Sequence, residues 1–303
     1  MIYEYIAILI ALALDWIYPR HEGGIAYIMH PVHVTYSISQ SLFKLMPRSK
    51  LMGVANWFLS VVPVAMAYIA PIILLQHWWM VALIAAAIVL KTTFSLRLLI
   101  DTAKAYSRGG NSMRCYAQQL VRRNVNELDD AHVNSAVIES LAESLVDGFS
   151  SPLLYSAVFW VPGAIVQRLA NTMDSSLGGY MDEPYREVGG WFSAKVDTAI
   201  NYLPARITAI IILAAAIISG RRPSIKAFLD SRRTTPSVNA GYPMSAMAAS
   251  LGVRLEKRGS YGLGNGRLPN MDDVRAAIRI TEIAAVIIII IVLALTMLVS
   301  TIY

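Results

Sequence analysis

The sequence predicts an all-α polytopic integral membrane protein of four to six spans, some broken or re-entrant, with polar loop segments facing the cytoplasm. Three observations lead there. Of 303 residues, 56% are hydrophobic and 15% charged, against about a quarter charged in an ordinary soluble domain. Mean hydropathy is +0.51. Uncharged runs reach the ~20 residues that cross a ~30 Å hydrocarbon core. Disorder, fibrous repeats and a nucleic-acid-binding tail are excluded, because each needs a polarity or bias absent here; no nucleic-acid partner is expected. A plain soluble enzyme is disfavoured, because there is too little polar surface to wrap this apolar volume. The single cysteine, Cys115, excludes an internal disulfide framework and Cys-rich metal sites.

The elements follow in order. Residues 6–14 form a short apolar stretch without a basic leader, expected as an uncleaved first span. Residues 51–90 carry no Asp, Glu, Lys or Arg over 40 positions. That is about twice one span, so two helices are expected with a turn at Gln76-His77-Trp78-Trp79. Paired Trp residues suit the headgroup level. Residues 148–167 are uncharged, but Pro152 and Pro162-Gly163 predict a break or re-entry, since proline removes a helix hydrogen bond. Residues 207–219 reach membrane length only by including Pro204 and Arg206. The clearest span is 283–303, 21 residues without a charge. One membrane domain over 1–303 is expected, with polar loop segments at 15–50, 101–147, 171–200 and 220–280.

Basic residues orient the chain. The four polar segments hold 4, 5, 2 and 11 Lys/Arg in that order, which puts 220–280 in the cytoplasm by the positive-inside rule, with the first two. Residues 127–197 hold 11 Asp/Glu against 3 Lys/Arg, while the remainder is strongly basic. An acidic centre points to cation binding. A basic remainder points to anionic headgroups or phosphorylated ligands.

Four constellations are candidates for chemistry. Glu139, Glu143 and Asp147 recur at i, i+4, i+8, so a helix stacks them on one face. Like charges at that spacing repel. A Mg²⁺ ion shared with phosphate oxygens offsets them; a solvated acidic face is the bland reading. Between two apolar segments lie Asn171, Asp174, Gly178-Gly179-Tyr180, Tyr185-Arg186, Lys195, Asp197, Asn201 and Arg206. Asp174 is a further metal candidate, and Arg206, at the mouth of an apolar run, can grip a phosphate or simply snorkel. Asn239, Gly241 and Tyr261 belong to glycine-bearing turns over 237–266, which suit an anion but read equally as plain turns. His30 and His33, with Asp15 upstream, are two imidazoles three apart and too few for a metal. Lys91 is read as snorkelling, and Arg97 and Asp101 as an i, i+4 pair.

At these residues the chain resembles a known family. The runs ESLAESLVDG (139–148), NTMDS (171–175), GGWFSAKVDTAINYLPARITA (189–209) and NAGYPMSAMAASLGVRL (239–255), with Asp15-Trp16 and His30-Pro31-Val32, stand in the order found in the CobD/CbiB membrane family, the adenosylcobinamide-phosphate synthases. The resemblance covers about 10–262. Departures are Ser144 where the family has Asn, Asn124 after Arg122-Arg123 where it has Gly-Arg-Asp, and Val238 and Tyr242 where it has Pro and Trp.

The resemblance implies a multi-pass enzyme of the cell membrane in cobalamin biosynthesis, with its active site facing the cytoplasm. It is an ATP- and Mg²⁺-dependent carbon–nitrogen ligase joining adenosylcobyric acid, or a related corrinoid, to (R)-1-amino-2-propanol phosphate. The expected assignments are Asp197, Lys195 and Arg206 for catalysis; His30, Asn171, Asn201, Asn239, Gly241 and Tyr261 for substrate and ATP; and Glu139, Glu143, Asp147 and Asp174 for metal. Membrane lipid and a second copy of the chain are the other expected partners. The rival readings are a corrinoid transporter and a non-catalytic membrane sensor of the same fold.

Overall fold

The computed structural model describes residues 2–20, 23–109, 113–178 and 188–302. The helices are α1 (Ile2–Ile17), α2 (Gly24–Ile28), α3 (Pro31–Leu45), α4 (Lys50–Leu74), α5 (Trp79–Lys91), α6 (Arg97–Tyr106), α7 (Arg114–Leu120) and α8 (Asp130–Leu145). A π turn, Val146–Ser150, leads into α9 (Ser151–Gly178). Then come α10 (Trp191–Ile200), α11 (Tyr202–Ile218), α12 (Ile225–Ser231) and α13 (Gly241–Leu251). A two-stranded antiparallel hairpin, β1 (Leu255–Lys257) and β2 (Tyr261–Leu263), precedes α14 (Met271–Ile302).

Three helical runs are long and apolar enough to cross a membrane: Lys50–Leu74, Asp130–Leu177 and Met271–Val299. The pair α10 and α11, bent by 47° at Asn201, makes a fourth if counted as one span. The expected turn between α4 and α5 falls where the sequence places it, with Trp78 as the cap of α5. The polar segments expected as loops are largely helical: α2, α3, most of α6, α7, α8, α10, α12 and α13 lie in them. Local signals fix the helix starts. Ser49 accepts from Met52 N at 3.2 Å to cap α4, and Asp129 accepts from His132 N at 3.0 Å to cap α8. Asn270 and Asp273 exchange hydrogen bonds at the start of α14, as in a capping box.

The chain gathers into two compact units, each discontinuous in sequence. The first comprises Met1–Ser95, Ser151–Ile200 and Val292–Tyr303; the second comprises Leu96–Ser150 and Asn201–Ile291. In the first unit α3, α4 and α9 are joined by a buried polar chain. Ser60 Oγ donates to Asn56 Oδ1 at 3.0 Å, Asn56 Nδ2 to Ser39 O at 3.1 Å, and Ser176 Oγ to Ser39 Oγ at 3.1 Å. Gln40 Nε2 completes it by donating to Ser176 O and Oγ, both at 3.0 Å. Such bonds tie helices together where water cannot compete.

The expected break in 148–167 is present, two residues before the proline. Trp160 has φ 56° and ψ −152°, outside helical space. Pro162 cannot donate to residue 158, and it fits the first turn of a new helix, so the helix stops just upstream. The second half turns back on the first: a Cβ at Gly163 would lie 2.6 Å from both Tyr155 O and Phe159 Cβ. A straight helix would set residues 155 and 163 about 12 Å apart along its axis. Tyr3 packs on Trp160 with ring centroids 5.9 Å apart.

Lys91 does not snorkel. Its Nζ lies 3.1 Å from Asp15 Oδ1, joining α5 to α1, with the two side chains 6% and 5% exposed. Arg97 and Asp101 do pair, at 2.6 Å. Removing one member of a buried pair leaves the other charge desolvated. Lys91→Met is therefore expected to destabilise the protein in detergent by about 3–5 kcal/mol. Lys91→Met with Asp15→Asn should recover most of that loss, read as thermal unfolding midpoints.

Candidate functional site

In the second unit the first carboxylate of the acidic stripe is already engaged. Glu139 on α8 is 5% exposed. Its Oε2 accepts from Arg123 Nη2 at 2.9 Å and from the Tyr261 hydroxyl at 3.1 Å. Its Oε1 accepts from Ser135 Oγ at 2.9 Å. The β-hairpin delivers Tyr261, and Glu256 N on β1 donates to Ser135 Oγ at 2.7 Å. A second tie holds the hairpin to the start of α8. There Arg258 donates to His132 Nε2 at 3.2 Å and pairs with Asp129, and Asp129 accepts from His132 Nδ1 at 2.8 Å. That bond holds the Asp129 carboxyl below its ordinary pKa. Burial, with the Glu139 carboxylate beside it, pushes the Tyr261 phenol well above its ordinary value, so the phenol stays protonated and donates.

The three acidic residues therefore do not present one equivalent face. Glu139 points inward, Glu143 is exposed, and Asp147 is half-buried in the π turn, which carries it out of α-helical phase. Among the described residues no three His, Cys, Asp or Glu side chains gather closely enough to hold a metal ion alone.

Arg206, on the first turns of α11, is fixed rather than snorkelling. Its Cζ lies 3.6 Å from the Tyr202 ring centroid and 4.1 Å from that of Tyr242. Nη1 donates to Tyr202 O at 2.7 Å and to Asn239 Oδ1 at 2.5 Å; Nη2 donates to Val238 O at 3.2 Å. Asn239 is buried. Gly241 beside it is required by close approach: a Cβ there would lie 2.5 Å from Arg232 O and 2.6 Å from Thr235 Oγ1. Asn201, 1% exposed, stands at the bend before α11.

In the first unit Asn171 on α9 donates through Nδ2 to Asp197 Oδ1 on α10 at 3.2 Å. Asp174 and Asp197 are half-buried, and Lys195 is exposed. Lys195 and Asp197 are two apart on one helix, a spacing that does not put them on one face. His30 stands at the N-cap position of α3 and, with Tyr27, Val32, His33 and Tyr36, lines a cavity of about 330 Å³. The Tyr27 and His33 rings lie 4.5 Å apart. Gly179, Tyr180, Tyr185 and Arg186 lie outside the described residues.

The stripe, Asn201, Arg206, Asn239, Gly241 and Tyr261 thus belong to the second unit, and His30, Asn171, Asp174, Lys195 and Asp197 to the first. Sequence reasoning missed Arg123, Ser135 and the Asp129–His132–Arg258 tie. The only available signal was the basic residue in Arg122-Arg123-Asn124, where the family's arginine is kept. Because Glu139 is buried and paired, Glu139→Ala is expected to cost about 2–4 kcal/mol in thermal unfolding, by stranding Arg123 and Tyr261. Exposed Glu143→Ala should stay within about 0.5 kcal/mol.

A family model described as CobD/Cbib protein matches residues 8–296. A protein of Aeropyrum pernix named probable cobalamin biosynthesis protein CobD is 38% identical over 91% of this chain and 88% of its own length. Proteins given the same name in Methanothermobacter thermautotrophicus and Thermoplasma volcanium are each 33% identical, over 86% and 91% of this chain and 87% and 91% of their own lengths. No solved structure matches.

Proposed function

The chain belongs to the CobD/CbiB family, and from that premise we propose that it is a membrane enzyme of cobalamin biosynthesis, an adenosylcobinamide-phosphate synthase. The reaction condenses adenosylcobyric acid with (R)-1-amino-2-propanol phosphate, using ATP. The observation that carries this reading is the match along nearly the whole chain, 8–296, which takes in every candidate site residue.

The chemistry sets what the residues must do. A carboxylate is a poor acyl donor at neutral pH. Its oxygen first attacks the terminal phosphate of ATP, releasing ADP and leaving an acyl phosphate. The amine then attacks the acyl carbon, expelling phosphate and giving up a proton. Asp197, oriented by the Asn171 amide, is the proposed acceptor of that proton. Arg206, held between two rings, offers a fixed guanidinium to phosphate oxygens. Exposed Lys195 adds positive charge for the anionic substrates.

Nucleotide-bound Mg²⁺ takes only one or two protein carboxylates, the rest of its shell being phosphate oxygens and water. Glu143 and Asp147 suit that need, whereas Glu139 is committed to Arg123 and Tyr261. The ion, when bound, supplies charge screening between nucleophile and phosphate. Glu139 then serves to position α8 and the hairpin. The 11 basic residues of 220–280 support a cytoplasmic site in the cell membrane.

The test uses detergent-purified protein given adenosylcobyric acid, aminopropanol phosphate, ATP and Mg²⁺. The expected product has the summed mass of the two organic substrates less water, with ADP and phosphate formed in equal amounts. Glu143→Ala and Asp147→Ala should each lower kcat by ~10²-fold or more. Unchanged substrates with intact folded protein would reject the ligase. Corrinoid uptake into vesicles without product would point to a transporter instead.

A further inference from the structure

Resting on the ligase reading, we propose that His33 supplies an axial ligand to the cobalt of the corrinoid substrate, whose ring closes the mouth of the cavity where α2 meets α3. The site lies wholly in the first unit. Pro31 opens α3, its fixed φ being suited to the first turn of a helix. His30 stands just before it and His33 two residues after. The chain leading in is pinned. His30 N donates to Tyr27 O at 3.1 Å, and the Tyr68 hydroxyl of α4 donates to Met29 O. The Tyr27 ring is thereby set 4.5 Å from the His33 ring, tilted by 45°. Both imidazoles, with Tyr27, Val32 and Tyr36, line one cavity of about 330 Å³. His33 is half-buried there.

A metal ion held by protein alone needs three or four side chains, and among the described residues no three His, Cys, Asp or Glu gather closely enough. A metal that arrives inside a macrocycle needs only one, as a haem iron does from its proximal histidine. The corrin ring fills the positions in the cobalt plane, and the adenosyl carbon fills one axial position. Cobyric acid carries no tethered base, so water holds the other. An imidazole nitrogen can displace that water. The Co–N bond forms from the nitrogen lone pair, the Co–O bond breaks, water leaves, and the metal stays Co(III). The surroundings suit this ligand. The cavity is too small to enclose a corrin, so the ring lies across its mouth. Tyr27 and Tyr36 are exposed; such phenols pack on a macrocycle and hydrogen-bond its amide arms. Ile25, Ile28 and Met29, neighbours of Tyr27, are exposed as well and offer apolar cover to ring methyl groups. A nucleotide is the poorer fit, since no Lys or Arg is among the described residues that line the cavity.

The test reads ligation apart from turnover. The full chain in nanodiscs is titrated with adenosylcobyric acid and followed by visible absorption, where exchange of axial water for nitrogen moves the corrin bands to longer wavelength. Wild type should show the shift and His33→Ala should not, with affinity for the corrinoid weakened at least ~10-fold. His30→Ala should keep the shift. A second readout needs no variant. The Co(II) form of cobyric acid bound to wild type should show its electron spin resonance split into triplets by one nitrogen, and into doublets when the protein is grown on heavy-nitrogen histidine. A resonance without nitrogen splitting, or a splitting unchanged by the label, would overturn the proposal. So would a shift kept by His33→Ala and lost in His30→Ala. A shift without product would reject the ligase and leave the cobalt ligand standing. Product formed with no shift on binding would do the reverse.

Discussion

A charge withdrawn from water costs several kcal/mol unless a partner meets it, and in a chain with 15% charged residues that requirement shapes the rest. Asp15, Lys91 and Glu139 are buried and Arg206 is half-buried, and each is met in its own way. Asp15 meets Lys91 across α1 and α5. Glu139 meets Arg123, Tyr261 and Ser135, and so binds α8 to the hairpin. Arg206 is held by two aromatic faces and three oxygens, none of them a carboxylate. The first two are closed pairs, neutral and structural. The third keeps its positive charge without a carboxylate partner among the described residues, as the proposed phosphate contact requires.

The break in α9 follows from a second constraint, that backbone polar groups in an apolar setting need partners of their own. Pro162 removes one donor, and Trp160 takes a conformation that non-glycine residues adopt at a cost of about 1–3 kcal/mol. The fold offsets this by packing: Gly163 lies close against Tyr155, and Tyr3 covers the Trp160 ring. After the turn, α9, which lies wholly in the first unit, bears Gln167, Asn171, Thr172 and Ser176. Asn171 bonds to α10 there, and Ser176 to α3.

Much of the fold was legible because it rests on local pattern. The uncharged 51–90 run had to divide, and the Gln76–Trp79 turn was the polar point at which to do so. The break near Pro162 followed from the chemistry of proline. The helices within the polar segments were harder to read; α13 is buried on almost every side and so shows little periodicity. The site was half legible. Spacing placed Glu139, Glu143 and Asp147 on one face, but it could not show that the π turn at Val146–Ser150 shifts Asp147, or that Arg123, 16 residues upstream, had claimed Glu139.

The central claim, ATP-driven amide ligation through an activated carboxylate, is tested most directly by following oxygen. Adenosylcobyric acid labelled with heavy oxygen in its free propionate is incubated with the protein, aminopropanol phosphate, ATP and Mg²⁺, and the released phosphate is read by mass. The account predicts one labelled oxygen in inorganic phosphate for each amide formed, with none in ADP. Amide formed with unlabelled phosphate, or label appearing in AMP, would contradict it.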